Sequence, residues 1–377
     1  MKACARGPEN GARPNEQKAL AGFAATDGRP VRILVVTPFA DDGWTWLAKY
    51  FRDRPIEWTF LRGALFGKRD PCWWLYVIRV ARKFKAYDLI ISHAPYMSLY
   101  VALAMWLTRT RKPHWAYSFN HGNQRFFTGP RLALARRVFA GTELFVVYSD
   151  YERRLLGRMY GIHEGKMSFH HWAVNPPEVA ELSAELQEFA PYASCVGRNN
   201  RDFETWLTAI KGLALNGVLV CPKDAVDPGL VPPNVRVKTD ISFEDCMKVL
   251  AQSYVNVVPL KDATTGAGHM TIVSAMQLGK PQIVTDIEAV RDYFFDGVHG
   301  RVVQPGDFDG LRRVMAWMIE NPAACAAFGK NAQSFADRWL VERSAAESLA
   351  GFLDCFVEGA PYPLEPHGWS EYKESHV

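Results

Sequence analysis

The chain predicts an α/β protein built from two doubly wound domains that face each other across a cleft. Three observations carry this. Short apolar, β-branched runs alternate with helix-patterned segments along nearly the whole sequence, as expected for βαβ units and parallel sheets. The alternation breaks once, at WAVNPPEVAEL, where Pro176 and Pro177 interrupt any element, and then restarts. The 377 residues are enough for two domains, at roughly 100–200 residues each.

Each element can be justified in order. VRILVVT (31–37) reads as a buried strand. A helical segment at 44–51, a strand at 56–61, a helix at 73–85 and the strand DLIISH (88–93) follow. Next come a helix at 96–107, the strand HWAYSF (114–119), a helix at 131–139, the strand ELFVVYS (143–149) and a helix at 151–160. After the Pro-Pro break the series resumes with YASCVG (192–197), a helix at 203–213, GVLVCP (217–222) and the short strand VRVKT (235–239). A helix at 243–251 and the strand YVNVVPL (254–260) lead into a glycine-bearing loop that opens a helix near His269. Strands at 281–286 and 300–304 and helices at 308–319, 323–339 and 342–357 close the chain. The expected organisation is a disordered leader (1–30), a first domain (31–175) and a second domain (176–340). A helix at 341–358 is expected to pack back on the first domain, before a tail (359–377). No short-period repeat is visible, which excludes a solenoid.

With 48% hydrophobic and 22% charged residues the chain is an ordinary globular composition. Its seven cysteines are scattered without a C-x-x-C pair, which reads as reduced thiols in a cytoplasmic protein and not as a disulfide framework or a zinc site. The longest apolar run, 94–107, is shorter than the about 20 residues a bilayer requires. The net charge of +4 hides an asymmetry. Residues 1–175 hold 27 Lys and Arg against 13 Asp and Glu, and the remainder 17 against 27. A basic first half suits an anionic partner such as phospholipid, a phosphorylated acceptor or nucleic acid; the plainer reading is a lopsided solvated surface. No RNP, helix-turn-helix or finger signature is present, so nucleic acid is set aside.

Ligands of open α/β sheets bind beyond the carboxyl ends of the strands, so the strand ends are where chemistry is sought. After YASCV come Gly197, Arg198 and Arg201. Arginine offers a permanently charged fork suited to phosphate, and Asp202 either caps the next helix or pairs with Arg201. After YVNVVPL, the small residues Gly266, Ala267 and Gly268 let a ligand approach the backbone. Amides at the start of the following helix, around His269 and Met270, would point at an anion. Thr264, Thr265 and Thr271 add hydroxyls, while Met270, Ile272, Val273 and Met276 read as core. In the first domain, Asn120-His121-Gly122 ends a strand and places His121 toward the cleft, where a neutral imidazole can bond a sugar hydroxyl. His93 is a weaker candidate of the same kind. His170 and His171 are adjacent on a strand, point to opposite faces, and make a poor metal pair. Asp41 and Asp42, before Gly43, cap the first helix or touch a polar acceptor. CWWLYVIRVARKFK combines Trp73, Trp74 and Tyr76 with Arg79, Arg82, Lys83 and Lys85, a composition that suits either a membrane interface or a core helix with a solvated basic side.

GHMTIVSAMQLGKPQIVTDIEAVRDYF resembles the signature of the retaining GT-B glycosyltransferases of the GT4 type, in which a Glu-x7-Glu element runs into Glu-Ala-Met-Ala-x-Gly-Lys-Pro. FVVYSDYERRLL, SCVGRNNRDFETWLTAI and AYSFNHG are similar to further blocks of that family, and the likeness covers residues 31–357. The resemblance implies two Rossmann-like domains, a nucleotide-sugar donor on the second and an acceptor on the first. It also implies retention of anomeric configuration without a metal or other cofactor. By this likeness His121 would contact the donor sugar, and Arg198 would bind the diphosphate with Arg201 or Lys211. Gly197, Gly266, Gly268, His269, Met270, Thr271 and Ser274 would surround the donor, and Asp41, Asp42, Gly43 and Asn120 the acceptor side. The two family glutamates fall on Gly266 and Ser274 in this sequence, and the usual first-loop glycine pair is reduced to Gly43.

The expectation is therefore a cytoplasmic, metal-independent glycosyltransferase, peripheral on the inner face of a membrane. It would carry sugar from a UDP- or GDP-linked donor to a lipid-linked or cell-surface glycan. The rivals are a sugar-nucleotide epimerase of the same fold and a non-catalytic nucleotide- or glycan-binding scaffold.

Overall fold

The computed structural model describes residues 29–37, 49–62, 73–120, 128–179, 181–261 and 267–376. Two six-stranded parallel sheets organise them. In the first, β1 (Val31–Thr37), β2 (Ile56–Arg62), β3 (Leu89–His93), β4 (His114–Tyr117), β5 (Leu144–Val147) and β6 (Met167–Phe169) lie in the order β2-β1-β3-β4-β5-β6. In the second, β7 (Tyr192–Val196), β8 (Asn216–Cys221), β9 (Val235–Thr239), β10 (Val255–Val258), β11 (Gln282–Thr285) and β12 (Gly300–Val303) lie in the order β12-β11-β10-β7-β8-β9. Central strands such as LFVV and VNVV are buried at every residue, because helices cover both faces of a parallel sheet. The edge strand β9 shows a largely exposed face instead.

The helices follow from local chemistry. In the first domain they are α1 (Trp73–Val80), α2 (Pro95–Leu107), α3 (Gly129–Phe139) and α4 (Asp150–Tyr160). The helix expected at 73–85 is α-helical only to Val80 and continues as a 3-10 turn to Ala86. That tighter winding stacks residues three apart, so Ala81 and Phe84 both reach the core. Ser149 caps α4 by accepting from the Glu152 amide at 3.1 Å, and Gly161, at φ +66°, ends it. In the second domain run α5 (Ala184–Glu188), α6 (Phe203–Ile210), α7 (Phe243–Gln252), α8 (His269–Gln277), α9 (Phe308–Glu320) and α10 (Pro322–Trp339). α6 stops three residues short of the expected end, because Gly212 takes φ +77°.

Two C-terminal helices tie the domains together. α11 (Glu342–Glu358) buries Ala346, Leu349, Phe352 and Leu353 in one cluster with Val31, Ile33, Leu89 and Trp115 of the first domain. Arg54 donates to Asp354 at 2.7 and 3.3 Å, and Lys49 pairs with Glu342 at 2.7 Å. The segment read as a tail forms α12 (Trp369–Glu374), whose Trp369 is buried against Phe169, His171, Phe295, Phe335 and Trp339. No helix among the described residues is long and apolar enough to cross a membrane.

Candidate functional site

In the second sheet β7 lies beside β10, and the chain leaves these two strands in opposite lateral directions. Their carboxyl ends therefore form a topological switch point, the place where open α/β sheets bind ligands. The post-β7 loop is the one bearing Gly197, Arg198 and Arg201. The post-β10 loop leads to Gly268 and α8. Backbone bonds fasten one to the other: Asp202 N donates to Pro259 O at 3.0 Å and Lys261 N to Asn200 O at 3.2 Å, and Arg201 forms an isolated bridge with Leu260.

Arg201 is only 6% exposed. Its Nε donates to the Val196 carbonyl at 3.4 Å, one terminal nitrogen to the Asn199 carbonyl at 3.0 Å, and the other to Thr271 Oγ1 at 3.1 Å. Thr271 in turn donates to the Val196 carbonyl at 3.2 Å. No carboxylate pairs with Arg201 among the described residues. Burial lowers the pKa of the guanidinium, but an arginine stays charged in any protein setting. Asp202 settles as a cap, accepting from Thr205 N at 3.2 Å and Thr205 Oγ1 at 2.7 Å. A Cβ on Gly197 would lie 2.7 Å from Arg201 Cζ, so a glycine is what allows the guanidinium to lie there. Arg198, beside it, is exposed.

Gly268 precedes α8 with φ +99°, and no side chain among the described residues caps that helix. Its first amides thus remain available beside the Arg201–Thr271 pair. The His269 ring turns inward, bonding the Ala289 carbonyl through Nε2 at 2.9 Å and lying 4.4 Å from the Tyr293 ring. Burial lowers its pKa and keeps it neutral. Met270, read as core, is instead 55% exposed, because it sits on the helix face turned away from the packed side of Ile272, Val273 and Met276. Ser274 is 2% exposed and lies, by helical geometry, between Met270 and Thr271. Gly266, Thr264 and Thr265 lie outside the described residues, as do Asp41, Asp42, Gly43 and His121.

On the first domain the carboxyl ends of β1 and β3 form the matching switch point. There Thr37 Oγ1 and His93 Nδ1 are 3.3 Å apart, and burial pushes His93 down to about 3, leaving it neutral. Asn120, half-buried after β4, bonds Glu152 of α4. Glu152 also accepts from Tyr148 N at 3.1 Å, and burial above all pushes its carboxyl up to about 7. Asp292 of the second domain, 2% exposed, accepts from Asp150 N at 2.7 Å and pairs with Lys373 at 3.0 Å. His170 and His171 are buried; His170 Nδ1 bonds the His171 carbonyl and His171 Nε2 the Asp292 carbonyl. Among the described residues no three His, Cys, Asp or Glu side chains converge as a metal site. The sequence reading did not single out Glu152 and Asp292, buried carboxyls where the two domains meet. The Ser149-x-x-Glu152 spacing, a helix-start signal, was the cue for the first.

Residues 25–176 match the family model for Glycosyltransferase Family 4, and residues 223–335 that for Glycosyl transferases group 1. No curated protein sequence matches the chain. Among solved structures, HepE of Anabaena in complex with UDP and glucose is similar over 86% of this chain and 99% of its own, at 16% identity and a TM-score of 0.65. Sucrose-phosphate synthase of Thermosynechococcus elongatus covers 88% and 100%, at 15% identity and 0.65. A putative UDP-N-acetylglucosamine 2-epimerase of Listeria monocytogenes covers 89% and 99%, at 12% identity and 0.59. At such identities these likenesses establish the GT-B fold. The two family matches, one on each domain and together spanning most of the sequence, place the chain among the group 1 glycosyltransferases.

Proposed function

We propose that the protein transfers a hexosyl group from a UDP- or GDP-sugar to a lipid-linked or cell-surface glycan, with retention of anomeric configuration. The observation that carries the donor half is Arg201: a buried cation held by carbonyls and a hydroxyl, beside exposed Arg198 and the uncapped start of α8. That arrangement suits the leaving diphosphate. The bond from the anomeric carbon to the diphosphate oxygen breaks, and a bond to the acceptor oxygen forms. The acceptor proton passes to the leaving diphosphate, so the step needs no side-chain base. The two arginines and the helix amides offset the developing charge, and we assign that role to them without a metal. His121 would contact the donor sugar. HepE, which binds UDP and glucose, supports UDP as the first donor to test.

The Listeria neighbour supports a second reading, a sugar-nucleotide epimerase. It predicts conversion of a UDP-sugar when no acceptor is added. The basic first half supports peripheral attachment to the cytoplasmic face of a membrane.

The test is a metal-free calorimetric titration of the protein and of Arg198→Ala with UDP, GDP, CMP and ADP. One diphosphate binding at micromolar level, and weakened in the variant, is the expected result. Binding by none of them would remove the transferase reading and leave a scaffold.

A further inference from the structure

The basic excess of the first domain is not spread evenly. α1, α2 and α3 all run antiparallel to the strands and pack side by side, α2 between the other two. Their C-terminal ends therefore share one end of the domain, opposite the cleft. Arg82, Lys83 and Lys85 follow α1, Arg109 and Arg111 follow α2, and Arg137 closes α3. All six are exposed, and none forms an ion pair among the described residues. At the same end a groove of about 580 Å³ opens between α2 and α3. Arg109, Arg111 and Arg137 line it together with Trp106, and no carboxylate does. Arg137 lies 5.8 Å over the Trp106 ring. Trp106 is 46% exposed and Leu107 51% exposed. His114 at the groove floor is buried and bonded to Ser92 and Thr142, so the arginines supply the charge.

Cations in the last turn of a helix complement its dipole, but that accounts for single residues and not for an aromatic groove ringed by three unpaired arginines. A lone phosphate needs two or three such cations. Six across three helix ends, with exposed Trp and Leu among them, match an extended anionic surface that also accepts apolar side chains. We infer that this end of the first domain docks on an anionic bilayer, with a lipid headgroup phosphate seated in the groove between Trp106, Arg109, Arg111 and Arg137. The inference rests on the membrane reading above and names its surface.

The test is co-sedimentation of the full chain with vesicles of phosphatidylcholine alone or with added phosphatidylglycerol. It is run on the native protein, on the triple variant Arg109→Glu, Arg111→Glu, Arg137→Glu, and on Trp106→Ala, with UDP affinity as a control on folding. The native protein should bind only the anionic vesicles, and less so at high salt. The triple variant should lose roughly 100-fold or more in partitioning, taking each basic residue as roughly a fivefold contribution, while binding UDP as before. Trp106→Ala should bind more weakly than the native chain. Undiminished vesicle binding by the triple variant would overturn this face and leave the membrane reading standing. Failure of the native protein to bind any vesicle would overturn both. Full displacement by free glycerol phosphate would show a soluble phosphate ligand and overturn the docking.

Discussion

Arg201 is a cation that the fold holds out of water with no carboxylate paired to it among the described residues. Desolvating a charge costs several kcal/mol, and an apolar residue of similar volume is often as stable or more so. Arg201→Met should therefore leave the melting temperature unchanged or higher while weakening UDP roughly 10- to 100-fold, the worth of one or two charge-assisted hydrogen bonds. Calorimetry beside thermal unfolding checks this; a large loss of stability with unchanged UDP affinity would make Arg201 structural. Gly197→Ala should imitate it, since the new Cβ displaces the end of a flexible guanidinium and no backbone. A different set of residues controls pH dependence. Burial pushes His93, His114, His171 and His299 down to about 3, His170 to about 4, and lowers His269 as well. The unfolded chain takes up these protons as pH falls through the ordinary value of 6.5, whereas the folded protein does not. Each such group destabilises by up to roughly 1.4 kcal/mol per pH unit below that point. Glu152 runs the other way, because its raised pKa makes the folded form hold a proton that the unfolded form releases between 4.5 and about 7. Six histidines outweigh one carboxyl. Urea midpoints should fall steadily as pH drops from about 6.5 to about 5.

At the scale of elements, α8 is where loop and helix must agree. Gly268 holds φ +99°, and a Cβ there would touch Val258 at 3.4 Å, so space is adequate and the backbone angle is the obstacle. Gly268→Ala should cost about 1–2 kcal/mol, the strain of a left-handed conformation, and should weaken UDP by rotating the first amides. Equal UDP affinity would show that those amides do not meet the anion. Elements of this kind were legible because their causes are local. VRILVVT and YASCV announce buried strands by composition, and the Gly-bearing loop announces a helix start. What sequence could not deliver was set by neighbours. The 3-10 turn at Ala81–Ala86 follows from where Ala81 and Phe84 must pack. The exposure of Met270 follows from which face of α8 meets β10 and α10, a choice a mixed apolar pattern leaves open. The pairing of Arg201 with Thr271 joins residues 70 apart and needs the β7–β10 adjacency first.

For the whole molecule, two doubly wound sheets could be read from the alternation of elements, but the second clamp between them, formed by the segment expected to be a tail, could not. That segment has little periodic signal. α12 has six residues, yet its Trp369 is 1% exposed and reaches Phe169 of the first domain at 6.1 Å and Trp339 of the second at 5.4 Å. Lys373 of the same helix pairs with Asp292, whose other oxygen accepts from the first amide of α4. One carboxylate therefore links both domains and the C-terminal helix. Removing the indole should leave a cavity at this junction and cost about 3–5 kcal/mol, as for other buried aromatic truncations. The proposed diphosphate site, at Arg198, Arg201 and the start of α8, is on the second domain, whereas the proposed transfer needs the acceptor side of the first. Trp369→Ala should accordingly lower kcat severalfold while UDP affinity, measured below the new unfolding temperature, changes little. Asp292→Asn, which keeps the shape but removes the charge that Lys373 faces, should fall between the variant and the native protein in both stability and kcat. A parallel loss of UDP affinity and kcat in Trp369→Ala would instead mean that the C-terminal helix supports the second domain alone, and the link between domains would have to be sought in α11.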